Sequence, residues 1–173
     1  MTKLILSVGI ALLFTMGCEK RQTETQKESY ATNVADQVEK GRYLIITTGC
    51  NDCHTDGFMQ NPNIPESDWL TGSALGWQGP WGTTYPPNLR LTVQNLTEQQ
   101  WIEMLKTRKG MPPMPWPSVN GLKEEDARAL YAYIKSMGAK GERAPLAIAP
   151  GVKPQTPYLS MMPQNLPETV SGK

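Results

Sequence analysis

The chain has 173 residues, 17 Lys and Arg against 16 Asp and Glu, and a single His, for a formal net charge of +1. The length suits one domain with tails. No basic run and no acidic tail is present, which excludes a surface built to hold nucleic acid.

Residues 1–17 read as an export segment. Lys3 supplies a positive start, and Leu4 to Met16 is uncharged and apolar. That run is too short to span a bilayer, which takes about 20 residues. It ends in Thr15-Met16-Gly17-Cys18, which resembles the lipobox of bacterial lipoproteins. There the cysteine becomes the lipidated first residue. Thr15 stands where Leu is usual. Lipidation at Cys18 is therefore expected, with an ordinary secretory signal and a free Cys18 thiol as the alternative. Removing residues 1–17 leaves 16 basic and 16 acidic residues, a net charge near zero. Residues 18–32 are polar apart from Tyr30 and read as a flexible tether, with a span of ~20 Å.

Val34, Val38, Gly41 and Ile45 recur at spacings of three and four and predict a first helix from about Asn33 to Thr48. Asn33 is the expected N-cap and Gly49 the stop. Gly41 in mid-helix costs ~1 kcal/mol against Ala, which points to a close helix contact there.

Cys50-Asn51-Asp52-Cys53-His54 follows at once. Two thiols three positions apart, followed by a histidine, form the attachment signature of a c-type haem. Cys50 and Cys53 can each form a thioether to the porphyrin, and His54 then lies under the iron as a ligand. A structural zinc site needs four ligands, and here the Cys and His supply stops at three. A disulfide across two intervening residues would close too small a loop to give much entropic benefit. A redox dithiol is the remaining alternative.

Residues 57–92 show little periodicity. Pro62, Pro65, Pro80, Pro86 and Pro87 exclude a regular helix through them, while Trp69, Trp77 and Trp81 predict packing. A bound macrocycle supplies core volume that such loops can wrap. Thr97-Glu98-Gln99-Gln100 is a capping box, flanked by the staple pair Leu96 and Trp101. It opens a second helix with Trp101, Met104 and Leu105 on the apolar face and Gly110 at its end. A third helix is predicted from about Lys123 to Met137, buried along Ala127, Leu130, Tyr131 and Ile134. Its acidic first turn suits the helix dipole. Lys123 is a weak cap, and Asn120 is the expected substitute. The domain is thus placed at residues 33–140. Residues 141–173 form a Pro-rich tail, either disordered or laid across the domain or a partner.

The opposite haem face needs a ligand, and Met111-Pro112-Pro113-Met114-Pro115-Trp116-Pro117 offers two thioethers. Four prolines in six residues predict a stiff, extended segment that could hold a weakly bound sulfur in place.

Taken with Gly41-Arg42-Tyr43-Leu44, Gly79-Pro80-Trp81-Gly82-Thr83-Thr84-Tyr85, Asn88 and Asp126-Ala127-Arg128-Ala129-Leu130-Tyr131-Ala132-Tyr133, these motifs make the chain similar to a monohaem class I cytochrome c. The same features mark the cytochrome subunits of periplasmic dehydrogenases. The resemblance covers residues 33–138. It implies an all-α cytochrome c fold: about three main helices around one covalently bound haem c, with long irregular loops and the first and last helices crossing. Gly41 against Tyr131 is the expected crossing contact. The resemblance assigns Met114 as the axial methionine, with Met111 as the alternative.

The expected function is one-electron transfer by a lipid-anchored carrier in the bacterial cell envelope, facing the periplasm. Its partners would be a dehydrogenase, an oxidase or another cytochrome. A dedicated electron-acceptor subunit of a dehydrogenase is the alternative. A haem peroxidase or gas sensor ranks third, because no histidine remains after His54 to act as a distal acid–base group. No catalytic residue is expected.

Overall fold

The computed structural model describes residues 33–165. The expected export segment 1–17, the lipidation site Cys18, the tether 18–32 and the last residues of the tail lie outside the described residues. The chain divides into residues 1–36, of which 33–36 are described and helical, and residues 37–173. The account that follows concerns the second unit.

Helices carry its core, in keeping with the expected all-α class. Helix α1 covers residues 33–47. It is already helical at residue 33, the first described residue, so the point where it begins, and with it the expected Asn33 cap, lies outside what is described. Gly49 ends it as expected, in the left-handed region at φ 69°, and directly precedes α2, Cys50–His54. A single 3-10 turn follows at Glu66–Asp68. The hairpin β1 (Gly76–Gly79) and β2 (Gly82–Thr84) comes next, then α3, Leu89–Gln94. Helix α4, Glu98–Thr107, leads to α5, Trp116–Asn120, and α6, Glu124–Ser136. A last strand, β3 (Tyr158–Ser160), lies in the tail.

Ile45, Leu70, Val93, Trp101, Ile102, Leu105, Leu130 and Ile134 fill one core between the helices and the 57–70 loop. Such buried side chains contribute about 1.5–3 kcal/mol each relative to exposure. The surface ion pairs, such as Lys106 to Glu124 at 3.0 Å, contribute no more than ~1 kcal/mol. The core therefore decides the fold. The capping box at Thr97 forms with both of its bonds: Gln100 N–H donates to Thr97 Oγ1, and Thr97 N–H donates to the Gln100 side chain. Leu96 and Trp101 both join the core, where Trp101 Nε1–H also donates to the Ala127 carbonyl at 3.0 Å.

Helices α1 and α6 cross at Gly41, but against Ala129 and Tyr133 and not Tyr131. A Cβ on Gly41 would stand 2.0 Å from the Ala129 carbonyl oxygen and 2.6 Å from Tyr133 Cβ. Positions 129 and 133 are one turn apart and share a face, whereas 131 points elsewhere. Its hydroxyl donates to the Leu96 carbonyl ahead of α4. The crossing is pinned at its edge by Glu66, which accepts from Tyr133 OH at 2.7 Å and from Arg42 Nε at 2.8 Å.

Three further local expectations are corrected. Helix α4 stops at Thr107, where Arg108 turns extended, and not at Gly110. Gly110 is small because Trp116 lies on it: a Cβ there would be 2.3 Å from Trp116 Nε1. Asn120 does not cap α6. It sits at the end of α5 and its Nδ2 donates to the Leu105 and Arg108 carbonyls at the end of α4. The segment after Met114 is not extended throughout, because Pro117 falls in the first turn of α5, where a missing N–H costs nothing.

The irregular middle segment hides a hairpin. Strand β1 pairs antiparallel with β2 and parallel with β3, giving the order β2-β1-β3. The described part of the tail, through residue 165, thus lies across its own domain. Thr83 and Ile148 bridge, Tyr85 OH meets Thr156 Oγ1 at 2.7 Å, and Met161 N–H donates to the Gln78 carbonyl. Gly82, at φ 98°, is required where this tail crosses, since a Cβ would stand 2.1 Å from the Ile148 carbonyl oxygen.

The Gly41 contact yields a direct test. Gly41→Ala gains helix propensity, but the added methyl cannot clear the Ala129 backbone. A net loss of about 1–3 kcal/mol is expected in denaturant unfolding. Unchanged or raised stability would show that α1 and α6 do not pack this closely.

Candidate functional site

Helix α2 is five residues long and exists to present three side chains. Positions 50, 53 and 54 are spaced three and four apart and so share one helix face. Its ends are anchored from behind. The His54 carbonyl accepts Gly72 N–H at 2.7 Å. Thr55 Oγ1 donates to Asn51 Oδ1 at 2.7 Å and accepts Leu70 N–H at 2.8 Å. Asn51 and Thr55 are both buried, so this small polar network fixes the helix against the core side of the 57–70 loop.

Cys50 and Cys53 are half-buried, and neither is paired in a disulfide. Burial pushes both thiols up. For Cys53 the Asp52 carboxylate adds to the effect, and for Cys50 a contact with Thr48 Oγ1 at 3.2 Å partly offsets it. A redox dithiol needs at least one thiol with its pKa lowered toward neutrality. The environment does the reverse at both positions, which disfavours that alternative.

His54 is 5 % exposed. Its Nδ1 lies 2.8 Å from the Pro87 carbonyl oxygen. A carbonyl only accepts, so Nδ1 carries the proton and Nε2 keeps a free lone pair. No described group bonds Nε2. Burial lowers the His54 pKa, with the Pro87 bond opposing, so the ring stands neutral at neutral pH. A neutral imidazole with its far nitrogen fixed by a carbonyl is the form that ligates iron. Two thiols and one bare imidazole nitrogen on a single helix face are donors that a c-type haem requires from its attachment motif, and these residues fit that group.

The candidate thioethers lie on the loop between α4 and α5. Met111 is 44 % exposed, whereas Met114 is half-buried. The loop is tied at several points. Thr84 Oγ1 donates to the Pro112 carbonyl at 2.7 Å, which joins the hairpin to the loop. Trp116 N–H donates to the Met114 carbonyl at 2.9 Å. The Arg108 guanidinium lies over the Trp116 ring at 5.1 Å.

Pro87 is not identifiable as a contributor from the sequence. Pro87 acts through its backbone carbonyl, which every residue has, so no residue type signals it.

The cytochrome c family model matches residues 38–138. The chain is also 30% identical, over 133 residues, to the fructose dehydrogenase cytochrome subunit of Gluconobacter japonicus. That alignment takes in 70% of this chain and 24% of the relative, so the chain spans about a quarter of that protein's length. No solved structure matches the chain. The family is defined by a covalently bound c-type haem, and Cys50-x-x-Cys53-His54 supplies its attachment motif. Donor geometry and sequence similarity lead to one conclusion: the chain belongs to the cytochrome c family.

Proposed function

We propose that this chain is a membrane-tethered one-electron carrier of the bacterial cell envelope, in which Cys50 and Cys53 hold the haem covalently and His54 and Met114 are the axial ligands. The observation that carries the reading is the His54 to Pro87 bond, which leaves a neutral, buried imidazole with Nε2 free beside two thiols on one helix face. When bound, the haem supplies a ferrous/ferric couple whose potential a His–Met ligand pair raises. Met114 is favoured over Met111 because it is the less exposed of the two and follows the point where Thr84 secures the loop. With His54 engaged, the chain has no second histidine to serve as a distal acid–base group, which argues against a peroxidase.

The near-neutral chain left after residue 17 offers little electrostatic steering of partners. Redox partners of this kind meet through small, short-lived interfaces. Lipidation at Cys18, facing the periplasm, would confine the carrier to the membrane surface and raise the encounter rate. No helix among the described residues is long and apolar enough to cross a membrane.

The similarity to a dehydrogenase cytochrome subunit favours a second reading, a dedicated electron acceptor for a dehydrogenase. Co-purification with a flavin-, quinone- or molybdenum-containing subunit would support it. A stable, well-behaved monomer with no bound partner would oppose it.

Three tests address the proposal. In the matured protein, replacing Cys50 and Cys53 together by Ser is expected to remove all haem staining after denaturing electrophoresis, and Met114→Ala to remove the methionine-to-ferric-iron absorption that Met111→Ala retains. A surviving haem band contradicts the attachment site, and the reverse methionine result moves the ligand role to Met111. Cys18→Ser is expected to release the protein from the membrane fraction to the soluble one. Continued membrane retention would contradict the lipid anchor.

A further inference from the structure

His54 is aimed by one carbonyl, and the residue that owns it cannot anchor itself. Pro86 and Pro87 have no N–H to donate. The direction of the Pro87 carbonyl is set by the peptide plane it shares with the Asn88 N–H. Whatever holds Asn88 therefore holds the acceptor of the His54 proton.

Asn88 is 4 % exposed, and its side chain makes three bonds. Its Oδ1 accepts Leu91 N–H at 3.0 Å and so caps α3. Its Nδ2 donates to the Lys140 carbonyl at 2.7 Å and to the Glu142 carbonyl at 3.1 Å. The capping role alone would be met equally well by Ser or Asp. Only an amide offers an acceptor and two donors at once. Both donors are spent where the domain passes into the C-terminal tail, more than 50 positions away.

The rest of the segment is boxed in by backbone. Ser73 N–H donates to the Pro86 carbonyl at 3.2 Å, and Leu89 N–H to the Leu70 carbonyl at 3.0 Å. A Cβ on Gly72 would stand 2.8 Å from the Asn88 nitrogen, so the 70–73 loop lies directly behind residue 88. The tail closes the remaining side. A Cβ on Gly141 would stand 3.3 Å from Asn88 Nδ2 and 3.3 Å from Thr71 Cβ.

We propose that Asn88 is a positioning residue for His54: its amide clamps the Lys140–Glu142 backbone and thereby keeps the Pro87 carbonyl on the His54 Nδ1 proton. The start of the tail is then a support of the axial histidine and not merely a trailing segment. This rests on the reading that His54 Nε2 ligates the haem iron. A strong Nδ1–H bond makes the imidazole a better donor to ferric iron. Loosening it is expected to favour the reduced form and raise the midpoint potential.

The test uses the matured holoprotein. Asn88→Ser keeps a neutral oxygen cap for α3 but has no amide to reach Lys140 and Glu142. The expected result is a normal covalent haem content, a higher midpoint potential, and exchange of the His54 Nδ1 proton about five- to ten-fold faster by NMR of the reduced protein, as suits the loss of one hydrogen bond. Gly141→Ala leaves residue 88 intact and pushes the tail backbone off it, so it should move both readouts in the same direction. Unchanged exchange and potential in a folded, haem-loaded Asn88→Ser protein would overturn the proposal. If that variant does not fold, unchanged readouts in Gly141→Ala overturn it instead. Wild-type holoprotein that shows no histidine ligand at all is a separate outcome, which refutes the functional reading beneath it.

Discussion

A single proton, shared between His54 Nδ1 and the Pro87 carbonyl, is the constraint on which the site depends. It fixes the tautomer of the one histidine in the chain, fixes its ring plane and leaves Nε2 as the only available nitrogen. Burial reinforces it by holding the ring neutral. Without that acceptor, a buried imidazole would be free to rotate or to take the other tautomer. The CXXCH motif would then present thiols with no reliable ligand beside them.

Much of the fold can be understood as support for that arrangement. The 70–73 backbone holds both sides of the contact, since Gly72 N–H bonds the His54 carbonyl and Ser73 N–H bonds the Pro86 carbonyl. The hairpin continues from there, and Thr84 reaches the Pro112 carbonyl on the methionine loop. The tail then lies along β1 and reaches back to Asn88. Buried Arg90, two positions on, donates to the carbonyls of Ser67, Met137 and Gly138 and so ties α3 to the end of α6. Elements with little regular structure are thus held by many specific polar bonds. The helices supply the hydrophobic stability that lets those bonds persist.

The sequence announced what depends on side-chain identity at fixed spacing. The CXXCH motif, the Thr97 capping box, the apolar stripes of α4 and α6 and the need for a small residue at Gly41 all belong to this class. What it did not announce depends on backbone groups or on partners distant in the chain. Nothing in Pro87 marks its carbonyl as an acceptor. Nothing in Asn120 distinguishes a cap for the following helix from a brace on the preceding one. Gly110 looked like a helix stop, because a glycine beneath a tryptophan and a glycine at a helix end read alike. The hairpin was missed because Gly79-Pro80-Trp81-Gly82 carries turn residues but its strands are too short to show an alternation, and its third strand arrives from residues 158–160. The tail reads as either disordered or laid across the domain or a partner, and composition does not say which edge its strand joins.

A cytochrome of this family acts through a group that the polypeptide must grip covalently. The central claim is that Cys50 and Cys53 are both consumed in that grip. Intact mass spectrometry of the mature protein after denaturation, combined with thiol titration, tests it most directly. The expected result is a mass greater than that of the polypeptide by one haem, beyond any lipid, with no titratable thiol at either position. A haem-free mass with both thiols reactive would contradict the account.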